Sequence, residues 1–211
     1  MKTNQLIGLL AQDRTAPVSR APRFVGGIAA ALAVSAVAVL AVLGVRTDLG
    51  AAVIDPATIM KWLLPLALAL AAGIASLTLS RPDARGAPSL WLAGAIAVLA
   101  VGTILGEWIT TPADMRWTEM RGYSIPGCLI SIIAIAILPF GVAIYTLRAG
   151  ASVKPGLSGA AAGLATGSGA AVAYAFHCNE DAPLFYLTWY GAAILIVTAT
   201  GWLAGRHWLR W

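Results

Sequence analysis

Charge is scarce in this chain: 11% of its 211 residues are Asp, Glu, Lys or Arg, while 59% are hydrophobic. A soluble domain carries about 25% charged residues, so a chain this oily cannot cover itself with polar groups and belongs in a bilayer. Cysteine is nearly absent. Two residues, Cys128 and Cys178, exclude a disulfide framework and a CxxC-type site, though not a single bridge or a small metal site. No nucleophile–base constellation, phosphate-binding loop or Rossmann glycine pattern occurs, which argues against an enzyme. The formal charge of +5 is better read as orientation information than as a footprint for nucleic acid, and no direct nucleic-acid partner is expected.

What is present is a series of apolar runs. A helical span needs roughly 20 apolar residues, with every backbone group paired inside it. Six stretches qualify, at 24–45, 58–79, 90–109, 127–147, 157–176 and 185–205. Their short connections make successive spans antiparallel neighbours. The fold class expected is therefore all-α: an integral-membrane bundle of six transmembrane helices. A tail over 1–23 precedes a transmembrane domain over 24–211. Lys and Arg set the orientation. With the amino terminus inside, the inner segments hold Lys2, Arg14, Arg20, Arg23, Arg81, Arg85, Arg148, Lys154, Arg206 and Arg210; the outer segments hold Arg46, Lys61, Arg116 and Arg121. Both termini then face the cytoplasm. In the third outer segment Arg116 and Arg121 are expected to pair locally with Asp114 and Glu119. The fifth span is weakly apolar and repeats Gly159, Gly163 and Gly167 on one face, a pattern that lets helices approach closely in lipid. It is placed centrally, as a packing face.

In this topology Cys128, opening span four in "YSIPGCLI", and Cys178, closing span five in "AYAFHCNEDAP", lie at the same depth on the outer side. Neighbouring helix axes are about 8–10 Å apart, so the thiols can meet. Thiolate with imidazole suits soft or borderline ions such as copper, zinc or cadmium. Cys128, Cys178 and His177 are the candidate metal ligands, with Glu180, Asp181 or Glu119 available to complete the set. The ion is a signal here, and no obligatory cofactor is expected. The alternative is a disulfide in an oxidising outer compartment. His207, within "GRHWLRW", reads as an interface residue.

The tail "MKTNQLIGLLAQDRTAPVSRAPR" can form a short capped helix. Leu6, Ile7, Leu9 and Leu10 make it apolar on one face, and a helix this short needs a partner to be stable. That partner can be the membrane surface, the bundle or another protein's groove.

The basic, proline-containing tail, the six spans, Gly127–Cys128 at the start of span four, and His177–Cys178, Pro183, Phe185–Tyr186 and Trp189–Tyr190 leading into span six resemble the NrsF-type integral-membrane anti-sigma factors. The resemblance implies a protein of the bacterial inner membrane that sequesters an extracytoplasmic-function sigma factor on the cytoplasmic side. Release would follow metal or oxidative stress, with Cys128 and Cys178 as sensors and the segment around Leu6, Ile7, Leu9 and Leu10 contributing to sigma-factor binding. His177 as a ligand rests on its chemistry alone. A small membrane metal-ion transporter or channel is the alternative, and the lack of ionisable residues near mid-span argues against it. A thiol oxidoreductase would need a second cysteine pair for exchange.

Overall fold

The computed structural model describes residues 3, 5, 7, 8, 21–84 and 86–210. Among them every regular element is helical: α1 (Ala21–Leu43), α2 (Leu49–Ala52), α3 (Pro56–Leu79), α4 (Ser89–Thr110), α5 (Arg116–Arg121), α6 (Ile125–Leu147), α7 (Pro155–Tyr174) and α8 (Pro183–Trp208). Proline punctuates the chain: Pro56, Pro126, Pro155 and Pro183 each stand in the first turn of a long helix. There the missing N–H costs nothing and the fixed φ is already helical. Apolar runs alone start these four helices two residues late, because proline in the first turn is not counted as apolar. Asp55 caps α3, its carboxylate accepting from the Thr58 amide at 2.8 Å and the Thr58 hydroxyl at 2.6 Å. Pro65 and Pro139 sit inside α3 and α6, a position that helices surrounded by lipid and by other helices tolerate.

Five of these helices, α1, α3, α4, α6 and α8, are long and apolar enough to cross a membrane. The sixth expected span, α7, forms as a helix of 20 residues, about 30 Å at 1.5 Å per residue. Its Gly- and Ala-rich composition makes it less hydrophobic than the others, and its position explains why it can be: α7 packs on α8, α3, α6 and α1, and most of its residues are buried. By contrast, α1 and α4 present apolar side chains outward along most of their length, Val37, Val42, Trp91, Val98 and Ile109 among them.

Glycine decides how close α7 and α8 come. A Cβ placed on Gly159 would strike the Gly201 carbonyl oxygen and lie 2.7 Å from the Gly205 Cα; one on Gly163 would strike the Val197 carbonyl and lie 3.0 Å from the Thr198 Cα. Gly201 and Gly205, four residues apart on α8, face Gly159 in return. The pairing of two small-residue ridges gives the backbones van der Waals contact that larger side chains would prevent.

Successive long helices alternate in direction. At one end the connections between α1 and α3, α4 and α6, and α7 and α8 meet: the Arg46 amide donates to the Phe176 carbonyl at 2.9 Å, the Tyr123 amide to the Glu180 carboxylate at 2.7 Å, and the Trp189 indole to the Met120 carbonyl at 2.8 Å. At the opposite end the Ala151 amide donates to the Ser80 carbonyl at 3.1 Å, joining the other two connections.

A candidate sensor site at one end of the bundle

Cys128 lies in the first turn of α6 and Cys178 four residues beyond α7. Both are free thiols and both are buried, Cys128 completely and Cys178 to 3% exposure. They share one core cluster with Trp62, Tyr174, Phe185, Tyr186 and Tyr190. The aromatic rings form a continuous wall there: Tyr174 packs edge-on against Tyr190 at 5.9 Å and Tyr186 against Tyr190 at 6.4 Å. The Tyr190 hydroxyl is buried and interacts with the Cys178 side chain. Both cysteines thus belong to one core cluster, at the end of the bundle where the connections after α1, α4 and α7 lie.

The segment carrying Cys178 is held by two buried cations, Arg46 and Lys61, whose role goes beyond setting orientation. Lys61, one turn and a half into α3, is fully buried. Its ammonium donates to the Cys178 carbonyl at 2.7 Å, the Glu180 carbonyl at 2.9 Å and the Asp181 carboxylate at 3.2 Å, so all three of its protons are used. Arg46, just past α1, donates twice to Asp48 at 2.8 Å, twice to Asp181 at 2.9 and 2.7 Å and once to the Cys178 carbonyl at 3.1 Å. Those five bonds use every guanidinium N–H, the condition under which a buried arginine is tolerated.

The electrostatics follow from these contacts. Hydrogen bonds from Arg46 hold the Asp48 carboxyl down at about 2. Burial pushes the Asp181 carboxyl up, but the hydrogen bonds and charges of Arg46 and Lys61 outweigh it and leave the group below its ordinary value. The Asp48 and Asp181 bonds in turn keep Arg46 charged well above the usual range.

The remaining candidates are engaged elsewhere. His177 Nδ1 lies 2.9 Å from the Gly44 carbonyl; a carbonyl only accepts, so in the neutral ring Nδ1 carries the hydrogen and Nε2 the lone pair. Glu180 accepts from the Tyr123 amide, and Asp181 belongs to the ion cluster. Among the described residues no three His, Cys, Asp or Glu side chains gather as a group able to hold a metal ion. Cys128 and Cys178 are thus two free thiols of one buried cluster, while His177, Glu180 and Asp181 hold the segment that carries Cys178. Arg116 does not pair with Asp114: it donates to the Thr111 and Ile109 carbonyls at 2.9 and 3.3 Å and lies over the Trp108 ring at 5.8 Å, because the end of α4 offers unpaired carbonyls nearby. The ion pairs found among the described residues all lie in the Arg46–Asp48–Asp181–Lys61 cluster, so Arg121 also lacks the expected acidic partner. Ile7 is helical and 57% exposed; Leu6, Leu9 and Leu10 lie outside the described residues.

One signal for the missed pair was in view. A lysine within an apolar span, as in "TIMKWLLPLALAL", is an intramembrane charge and asks for a named partner.

Residues 10–211 match the family model described as NrsF, negative regulator of sigma F. The chain is 33% identical, over the full length of both chains, to the anti-sigma-F factor NrsF of Caulobacter vibrioides. It is equally similar, at 33% over the full length of both, to a probable anti-sigma-F factor NrsF of Azospira oryzae. No solved structure matches it.

Proposed function

This chain belongs to the NrsF family, negative regulators of sigma F, and we propose on that premise that it is an inner-membrane anti-sigma factor whose Cys128–Cys178 pair senses stress. In this reading six helices span the bilayer, α7 among them, and both termini and the 1–23 tail are cytoplasmic. The cytoplasmic side binds an extracytoplasmic-function sigma factor and keeps it from the polymerase, with Leu6, Ile7, Leu9 and Leu10 contributing. The cysteine end faces the periplasm. The orientation rests on the excess of Lys and Arg assigned to the opposite side, ten residues against four.

The observation that carries the sensor reading is the burial of two thiols, fifty residues apart in sequence, in a single cluster. Two chemistries suit them. A soft cation such as copper, zinc or cadmium can displace both thiol protons and bind two thiolates. Alternatively an oxidant joins the sulfurs: the thiols release two protons and two electrons, which a peroxide takes up to become two waters. Either event would move α6 against the 175–182 segment; α6 packs on α1, and the segment is hydrogen-bonded to the chain just past α1, Phe176 to Arg46 and His177 to Gly44. Inverting a 1:99 equilibrium takes about 5.5 kcal/mol of differential affinity, within the range of a metal–thiolate bond pair.

The test is a transcript from a sigma-dependent promoter in cells carrying wild-type protein, Cys128→Ser, Cys178→Ser or both. Cadmium chloride and hydrogen peroxide are applied separately. The expected result is induction in wild type by at least one stimulus and a flat response in the variants, with basal repression kept. Induction that persists in the double variant would refute the sensor role.

A further inference from the structure

The segment over the thiols is closed by charge as well as by packing. The main chain at Cys178 is pinned at its carbonyl by both Arg46 and Lys61. Asp181, three residues on, is the carboxylate to which both cations turn. These contacts tie one irregular segment, 175–182, to the start of α3 and to the chain just past α1. The same segment carries the Cys178 thiol, and Cys128 lies fully buried in the same cluster.

We propose that the Arg46–Asp181–Lys61 cluster is a clasp that keeps the 175–182 segment closed over the thiol pair and so sets how readily solutes reach it. The inference rests on the thiol pair being the sensor only for its biological meaning; the clasp itself is a property of this fold. The physical reason is that Lys61 has no exposed surface. Once Asp181 lets go, its ammonium is buried without a countercharge, a costly state that is relieved when the segment lifts and water enters. Lifting the segment moves the Cys178 carbonyl and its thiol together. Exposure of the cation and exposure of the thiol are one motion. Arg46, Lys61 and Asp181 are thus positioning residues for the thiol chemistry.

The experiment measures thiol access on the full chain in detergent micelles and in membrane vesicles, without sigma factor or stress stimulus. In a Cys128→Ser background, the initial rate of N-ethylmaleimide addition to Cys178 is read by mass spectrometry. Asp181→Asn should raise it at least about tenfold, equivalent to about 1.4 kcal/mol less opening free energy. Lys61→Met keeps the Arg46–Asp181 bridge and should raise it less, and Asp181→Glu, which keeps the charge, should restore a slow rate. A reporter thiol at Ala162→Cys, buried toward the opposite end, in a background lacking both native cysteines, should label equally slowly with and without Asp181→Asn. An unchanged Cys178 rate in Asp181→Asn overturns the clasp, as does an equal acceleration at the Ala162 reporter, which would mean general loosening. If Asp181→Asn fails to accumulate in membranes, Lys61→Met carries the test, and no acceleration there overturns the proposal. Failure of this assay leaves the transcript response of the cysteine variants standing, and the converse also holds.

Discussion

Replacing Gly159 by alanine adds a single methyl group to the 20 residues of α7, yet the added carbon would fall on the Gly201 carbonyl oxygen and within 2.9 Å of the Gly205 nitrogen. Those atoms are backbone on a helix packed along its whole length, so no side chain can swing away and α7 must move off α8. The steric cost belongs at the upper end of the ~1–3 kcal/mol seen for overpacked cores. Alanine's better helix propensity returns ~1 kcal/mol, which leaves a net loss of about 2 kcal/mol. Two other glycines give the contrast. At Gly27 the new carbon would meet only the Val142 Cγ1, at 2.9 Å, a single methyl on a residue stiff about χ1, so Gly27→Ala should cost less than Gly159→Ala, where backbone is struck. At Gly102 nothing lies within 4 Å, and Gly102→Ala should be neutral or stabilising by up to ~1 kcal/mol. The assay is equilibrium unfolding in mixed micelles of a mild detergent and SDS, followed by tryptophan fluorescence. Equal stabilities for Gly159→Ala and Gly102→Ala would refute the claim that backbone contact at the glycine ridge holds α7 to α8.

Three further outcomes are expected. Gly122→Ala should destabilise by about 2 kcal/mol or more, because Gly122 has φ +51° and a Cβ there would lie 2.5 and 2.6 Å from ring carbons of Phe185; the same unfolding assay reads it. Asp181→Ala, which leaves the buried Lys61 ammonium without a countercharge while Arg46 keeps Asp48, should cost about 3–5 kcal/mol, whereas Lys61→Met combined with Asp181→Asn should cost much less, since no buried cation is then left unpaired. Stability should also depend on acid: Asp48 and Asp181 are lowered in the folded protein, so their contribution is complete above the unfolded aspartate value near 3.9 and fades as pH falls toward about 2. Unfolding midpoints measured from about pH 7 down to about pH 2 should show that loss, and Arg46→Gln should flatten it; a decline centred near neutral pH would contradict the assignment.

How the fold was legible, and where it was not, follows from the kind of signal each feature leaves. Membrane helices announce themselves because lipid offers no hydrogen bonds and no relief for polar side chains. Boundaries were off where proline, a poor apolar residue, serves as the best first helical residue: Pro56 and Pro183 lie just outside the apolar runs and inside the helices. The glycine repeat on α7 points to a close packing face, and its partner ridge, Gly201 and Gly205, has the same spacing in the sequence, but only the fold shows that the two face each other. The thiol pair was inferred from topology alone, two helix ends at one depth.

Composition, hydropathy and the positions of glycine and lysine thus determined by themselves an all-helical bundle built for a bilayer, a central small-residue helix and a pair of cysteines at one end. Which charges meet which could be decided only by the tertiary structure. Arg46, Lys61 and Asp181 are 15 to 135 residues apart in the chain, and nothing periodic links them. Their pairing depends on three connections being brought to one end by helices that pack through shape rather than charge. Buried cations need every donor filled, and only the folded chain supplies the Cys178 and Glu180 carbonyls that fill them.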